Sequence, residues 1–229
     1  IALTNFLGDF SSSGGLNGSF TALMNDGAQV AGTLAPQNGG TAVRLRSANA
    51  GRFLASAGLT KETEGGALDL MLTPKGPRGE YEGELRITDI RVRKVPTIAE
   101  LLNAVSVVGL LQGIDGPGIV FDDIQARFHL TPDQIIVTQG AATGASMGIS
   151  VDGTYGIKTN ALNLQGVVSP VYLINGIGAA LTRPGEGLIG FNYFLGGTTS
   201  QPQVSVNPLS VLAPGMLRNI FRRETTTNQ

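Results

Sequence analysis

The chain of 229 residues carries 16 basic and 17 acidic side chains, 33 glycines, a single histidine and neither cysteine nor tryptophan. Near-neutral charge removes the broad basic footprint of a nucleic-acid binder. The lack of cysteine removes disulfides, thiolate catalysis and cysteine-bound zinc, and the glycine content with only 14% charged residues describes a turn-rich β protein.

From Phe20 to Ala35 the spacing predicts a hairpin, with Phe20, Ala22 and Met24 alternating, a turn at Asn25-Asp26-Gly27, and Val30 and Leu34 on the return. Val43 and Leu45 then face one way and Arg44 and Arg46 the other, the mark of a sheet with one dry face. Phe53, Leu54 and Ala57 are spaced for a short helix ending near Gly58. Strands resume with Leu68, Leu70 and Leu72 on one face, a loop follows over 74–79, and the longest strand runs over 80–94. Within that strand Leu85 and Ile87 are out of phase with Ile90 and Val92, so it either turns a corner or bulges near Thr88-Asp89; a bulge is the expectation.

Thr97 reads as the cap of a helix over 98–111, with Glu100 completing a capping box and Ile98, Leu101, Leu102 and Val105 among its apolar residues. After Gly118 the pattern is a meander. Ile124 and Phe128, then Ile135 and Val137, then Met147, Ile149 and Val151, then Leu162 and Leu164 alternate with polar neighbours. An apolar segment over 170–178 reads as a helical turn, Phe191 and Tyr193 as another strand, and Val204 and Val206 as the last. Asn207 and Pro208 then open a terminal helix with Leu209, Leu212, Leu217 and Phe221 on its apolar face.

Little in this chain invites chemistry. His129 stands in mid-strand beside Arg127 on the polar face, without the strand-turn-helix of a nucleophile elbow. Asp122 and Asp123 are neighbours in a strand and point to opposite faces, so they do not converge on one ion. The glycine-rich runs 113–118 and 140–144 lack a phosphate-loop lysine and read as turns. Arg218, Arg222 and Arg223 suit lipid phosphates, and equally a helix C-terminal dipole. No apolar run is long enough to span a bilayer, and an opening at Ile1 without an initiator Met or signal-like stretch reads as a processed product or an excised piece.

Periodicity leaves two fates for the dry strand face: burial under a second layer, or a curved sheet lining a channel for acyl chains. The run 83–92, the helix over 98–111, the stretch 162–170 and the ending Asn207-Pro208-Leu209-Ser210-Val211-Leu212-Ala213-Pro214-Gly215 resemble the C-terminal region of AsmA-like (YhdP/TamB-type) bacterial envelope proteins, over about 52–223. The resemblance implies a mainly β fold, a curved antiparallel sheet or groove of hairpins and meanders capped by a few short helices. One groove segment would occupy 1–229, with preceding strands over 1–51 and a flexible tail over 224–229.

It further implies a non-enzymatic section of an inner-membrane-anchored protein in the periplasm of a Gram-negative bacterium, carrying phospholipid between the two membranes without a cofactor or metal. Its partners would be phospholipid acyl chains, envelope membranes and envelope proteins, not nucleic acid. The lipid-facing residues would be Leu68, Leu70, Leu72, Leu85, Ile87, Ile124, Phe128, Met147, Ile149, Val151, Leu162, Leu164, Phe191 and Tyr193. Ile98, Leu101, Leu102 and Val105, with Leu209, Leu212, Leu217 and Phe221, would cap the groove. The alternative is a structural or assembly module for outer-membrane protein biogenesis, with a closed, packed core.

Overall fold

Every consecutive pair of strands described in this chain is hydrogen-bonded antiparallel, and turn-forming residues punctuate much of the period-2 alternation. The computed structural model describes residues 2–25, 27–76, 79–93, 99–101, 117–170 and 190–207. They form one mainly β architecture, a 12-stranded antiparallel sheet whose spatial order is the chain order and which does not close into a barrel. The strands are β1 (Leu3–Ser11), β2 (Asn17–Met24), β3 (Ala28–Gln37), β4 (Gly40–Ser47), β5 (Thr63–Pro74), β6 (Tyr81–Val92), β7 (Ile119–Leu130), β8 (Gln134–Thr143), β9 (Met147–Gly156), β10 (Leu162–Pro170), β11 (Phe191–Thr198) and β12 (Gln201–Asn207). A helix, α1 (Ala50–Ser56), separates β4 from β5.

α1 starts where the Asn49 side chain accepts a hydrogen bond from the Arg52 N–H at 2.9 Å, satisfying one of the donors that a helix start leaves open. It lies against one end of the sheet, where Ala50 and Phe53 join Leu68, Ile87, Ile90 and Phe121 in the core. The expected helix is thus present over a shorter span, and Leu59 beyond it is 65% exposed.

The phase change in β6 has a cause other than the expected bulge. Pairing of β6 with β5 and with β7 keeps one register on both sides of the break: Ala67 and Asp123 face Thr88, and Gly65 and Phe121 face Ile90. No residue is inserted. Instead Asp89 has φ 55° and Gly66, opposite it, φ 76°, so the sheet turns a shared corner there and Ile90 and Val92 come to be buried along with Ile87.

The run 140–144 also departs from the reading as a turn. Residues 140–143 belong to β8, with Ala142 paired to both Ile124 and Ile149, and only Gly144 turns the chain, donating into the loop as Met147 accepts at 3.0 Å. Pro170 is the last residue of β10 and not the start of a helical turn. The helices expected over 98–111 and 209–221, the segment 171–178 and the turn over 113–116 lie outside the described residues, except that 99–101 are helical.

Candidate functional site

Register alone determines which side chains share a face. Leu68, Ile87, Ile124, Ala142, Ile149, Val168 and Phe191 form one row running perpendicular to the strands. Two residues further along each strand, Leu45, Leu70, Leu85, Ala126, Gly140, Val151, Gly166, Tyr193 and Val206 form the next. Val43, Leu72, Gly83, Phe128, Val137, Gly153, Leu164, Leu195 and Val204 form a third. Every residue expected to face lipid therefore lies on one side of one sheet. With neighbouring strands about 4.8 Å apart, the rows extend for about 30 to 40 Å, at least twice the ~15 Å half-thickness of a bilayer's hydrocarbon core.

Burial on this face is graded. Toward α1 the side chains are packed as a core: Leu68 and Ile87 are each 3% exposed, Phe121 1% and Met147 and Val168 0%. Away from α1, Leu70, Leu72, Leu85, Phe128, Val137, Val151, Leu162 and Leu164 are half-buried, Leu70, Leu85, Leu162 and Leu164 among them packing against that core. Tyr193 is buried, and its hydroxyl donates to the Ser150 carbonyl at 2.9 Å. Among the expected capping residues Leu101 is buried; Ile98, Leu102, Val105, Leu209, Leu212, Leu217 and Phe221 lie outside the described residues.

Four aromatic residues of the dry face sit opposite glycines. Phe10 pairs with Gly18, Phe20 with Gly32, Phe128 with Gly83 and Tyr193 with Gly166. A Cβ at Gly83 would run into the Phe128 ring, and one at Gly32 into the Phe20 ring, so each ring lies flat over a neighbouring strand where a side chain is missing.

The opposite face carries the charge. Arg44 Nε donates to Asp69 Oδ1 at 2.8 Å with Arg46 3.5 Å away, Arg86 Nε donates to Asp123 Oδ1 at 2.8 Å, and Arg127 stands 3.4 Å from Glu84. Two open hollows of about 610 and 450 Å³ lie on this polar side, the first bounded by Arg44, Asp69, Glu84, Arg86, Asp123 and Arg127 and the second by Thr21, Arg46, Asp69 and Thr88. Sequence reasoning missed them, since they arise from the sheet's curvature and from long side chains on adjacent strands. Their arginines and carboxylates are already paired with one another.

The hydrogen bond from Arg44 holds the Asp69 carboxyl below the usual carboxylate range, against partial burial and with help from the Arg44 and Arg46 charges. A carboxyl with a lowered folded pKa adds stability above its unfolded pKa of about 3.9, and that stability is lost as pH falls through the folded value. Asp69→Asn is expected to lower the urea midpoint slightly at pH 7, since the pair is solvent-exposed. The difference from the parent chain should vanish on acidification below the folded pKa.

His129 is 22% exposed, with Nε2 3.4 Å from Glu80 and Nδ1 3.6 Å from Glu82. Among the described residues no serine or threonine hydroxyl is hydrogen-bonded to it, and its surroundings are those of a strand residue beside two carboxylates. Asp123 meets Arg86 while Asp122 is exposed, so the neighbouring carboxylates diverge as strand geometry requires. Among the described residues no helix is long and apolar enough to cross a membrane.

The chain matches no protein-family model, no curated protein and no solved structure.

Proposed function

We propose that this chain is a non-enzymatic lipid-handling domain whose apolar sheet face forms a trough for phospholipid acyl chains. The observation that carries this reading is the half-buried state of Leu70, Leu85 and Val151 and of Leu72, Phe128 and Leu164, in rows that run across the sheet without a polar interruption. A face sealed by a second layer excludes water from all such side chains. A curled single layer leaves them partly wet until an apolar guest arrives, and each CH₂ of that guest removed from water contributes about 0.8 kcal/mol.

Rows running perpendicular to the strands give a path along which a chain can slide without crossing a polar barrier. The packed end near α1 closes one wall, and the half-buried side forms the other. In this reading the chain works in the envelope of a Gram-negative bacterium, as a terminal section of an AsmA-like bridge across the periplasm, in contact with membranes and envelope proteins. It needs no cofactor.

The test is lipid extraction and native mass spectrometry of the purified domain, followed by transfer between donor and acceptor liposomes. Phospholipid is expected to co-purify and to transfer faster than in protein-free controls. Protein free of lipid and inactive in transfer would overturn the reading. The second reading, an assembly module with a packed core, draws on the closed packing around Phe121, Met147 and Val168, and a lipid-free protein would favour it.

A further inference from the structure

Asparagine followed by glycine is the step at which a chain most readily modifies itself, because a glycine amide, with no side chain in the way, can attack the preceding carboxamide carbon. Such steps occur at 17–18, 38–39 and 175–176, the last outside the described residues. The fold treats the first two differently. Asn17 opens β2 opposite Ser11, and Gly18 is paired with Phe10 on one side and Leu34 on the other, so its N–H lies within the ladder. Asn38 and Gly39 instead form the two-residue turn between β3 and β4, closed by the pairing of Gln37 with Gly40. Both are exposed, with φ 51° and 75°, and a Cβ on Gly39 would meet no atom within 4 Å. In such a turn the N–H of the second residue faces solvent. Two other turn asparagines have their carboxamide oxygens engaged: Asn25 accepts from the Ala2 N–H at 2.8 Å and Asn160 from the Tyr155 hydroxyl at 3.0 Å. Asn38 is held by one long bond, from Nδ2 to the Pro74 carbonyl at 3.3 Å.

We propose that Asn38 is a self-modification site, where the Gly39 amide nitrogen closes on Asn38 Cγ. The amide proton leaves to solvent base, the N–Cγ bond forms, and the Cγ–Nδ2 bond breaks with release of ammonia, giving a cyclic imide. Water then opens the ring at either carbonyl, to aspartate or to isoaspartate, with no oxidant, metal or enzyme. Both products carry a carboxylate that has no proton to donate to the Pro74 carbonyl. Isoaspartate also adds a carbon atom to the main chain of a turn built for two residues. The β3–β4 turn thereby loses its tie to the end of β5. This chemistry depends on the turn alone and holds whether or not the apolar face carries lipid.

The test is to age the full chain in warm, mildly alkaline buffer and map its peptides by mass spectrometry. The peptide carrying Asn38 is expected to gain about one mass unit, with isoaspartate as the larger product. That gain should run about tenfold or more faster than at Asn17, the factor that breaking one ladder hydrogen bond implies. In guanidinium chloride the two steps should run at similar rates, because both are Asn-Gly and only the fold separates them. Asn38→Asp removes the donor without ageing and is expected to lower the urea midpoint. Asn38→Gln keeps an amide but puts it one carbon further from Gly39, and should abolish the gain in that peptide. Equal rates at Asn17 and Asn38 in the folded chain, a difference that persists in guanidinium chloride, aspartate formed without isoaspartate, or an Asn38→Asp midpoint equal to the parent's would each overturn the proposal.

Discussion

Gly166→Ala is expected to lower stability by about 3 kcal/mol or more, a drop large enough to leave the β9–β11 part of the sheet unfolded at room temperature in moderate urea. Gly166 lies between Val151 and Tyr193 in its row, and a Cβ there would meet the Ser150 carbonyl oxygen and carbon and the Tyr193 hydroxyl. The obstacle is backbone, held in the ladder on both sides, and cannot swing away as a flexible side chain would. Displacing Tyr193 also strands its buried hydroxyl and the Ser150 carbonyl without each other, adding about 1–3 kcal/mol for lost pairing.

Gly83→Ala is the informative companion, because there the obstacle is the Phe128 ring. A half-buried ring can tilt upward, so this substitution should cost less than Gly166→Ala while raising the ring above the apolar face. Urea denaturation of both variants, read by circular dichroism, checks the order of the two costs. Equal midpoints would mean that the ring at Gly83 is as tightly held as the Ser150 carbonyl.

Alternation made most of the sheet legible before any coordinates. In β5, β7, β9 and β10 the residues of the apolar face differ from their neighbours by polarity, and a period of two has one reading. β1 escaped that reading for a physical reason. Its apolar residues stand at 3, 6, 7 and 10, a helical spacing, because the register shifts between Thr4 and Leu7, where Asn5 has φ 49°. In β6 the phase change at Asp89 was visible, but a corner shared with Gly66 and an inserted residue leave the same trace in one strand; only the register of both neighbours separates them.

The run 140–144 misled because small residues mark turns and also mark places where a row must be thin, as Gly140 does between Ala126 and Val151. Which face is dry was therefore written in the sequence, whereas the grading of burial along it was not. Burial depends on what stands across from a side chain. The polarity of the side chain itself carries no record of that.

Leu85→Glu turns that distinction into a measurement. Leu85 lies in the middle row between Leu70 and Ala126, half-buried at the margin of the packed core. If the row lines a trough, the carboxylate keeps contact with water when no lipid is present, and the protein should lose only about 1–2 kcal/mol from the missing apolar contact. A guest chain, however, would have to pass a charge in a dry passage, so co-purified phospholipid and liposome transfer should fall at least tenfold, with Leu85→Met close to the parent chain. If the row is instead the inside of a closed core, the same substitution buries an unpaired carboxylate and should cost several kcal/mol, with lipid unaffected because none was bound. Thr33→Glu, on the polar face and exposed, controls for added charge and should change neither quantity. The two architectures thus predict opposite pairings of stability and lipid content from a single side chain.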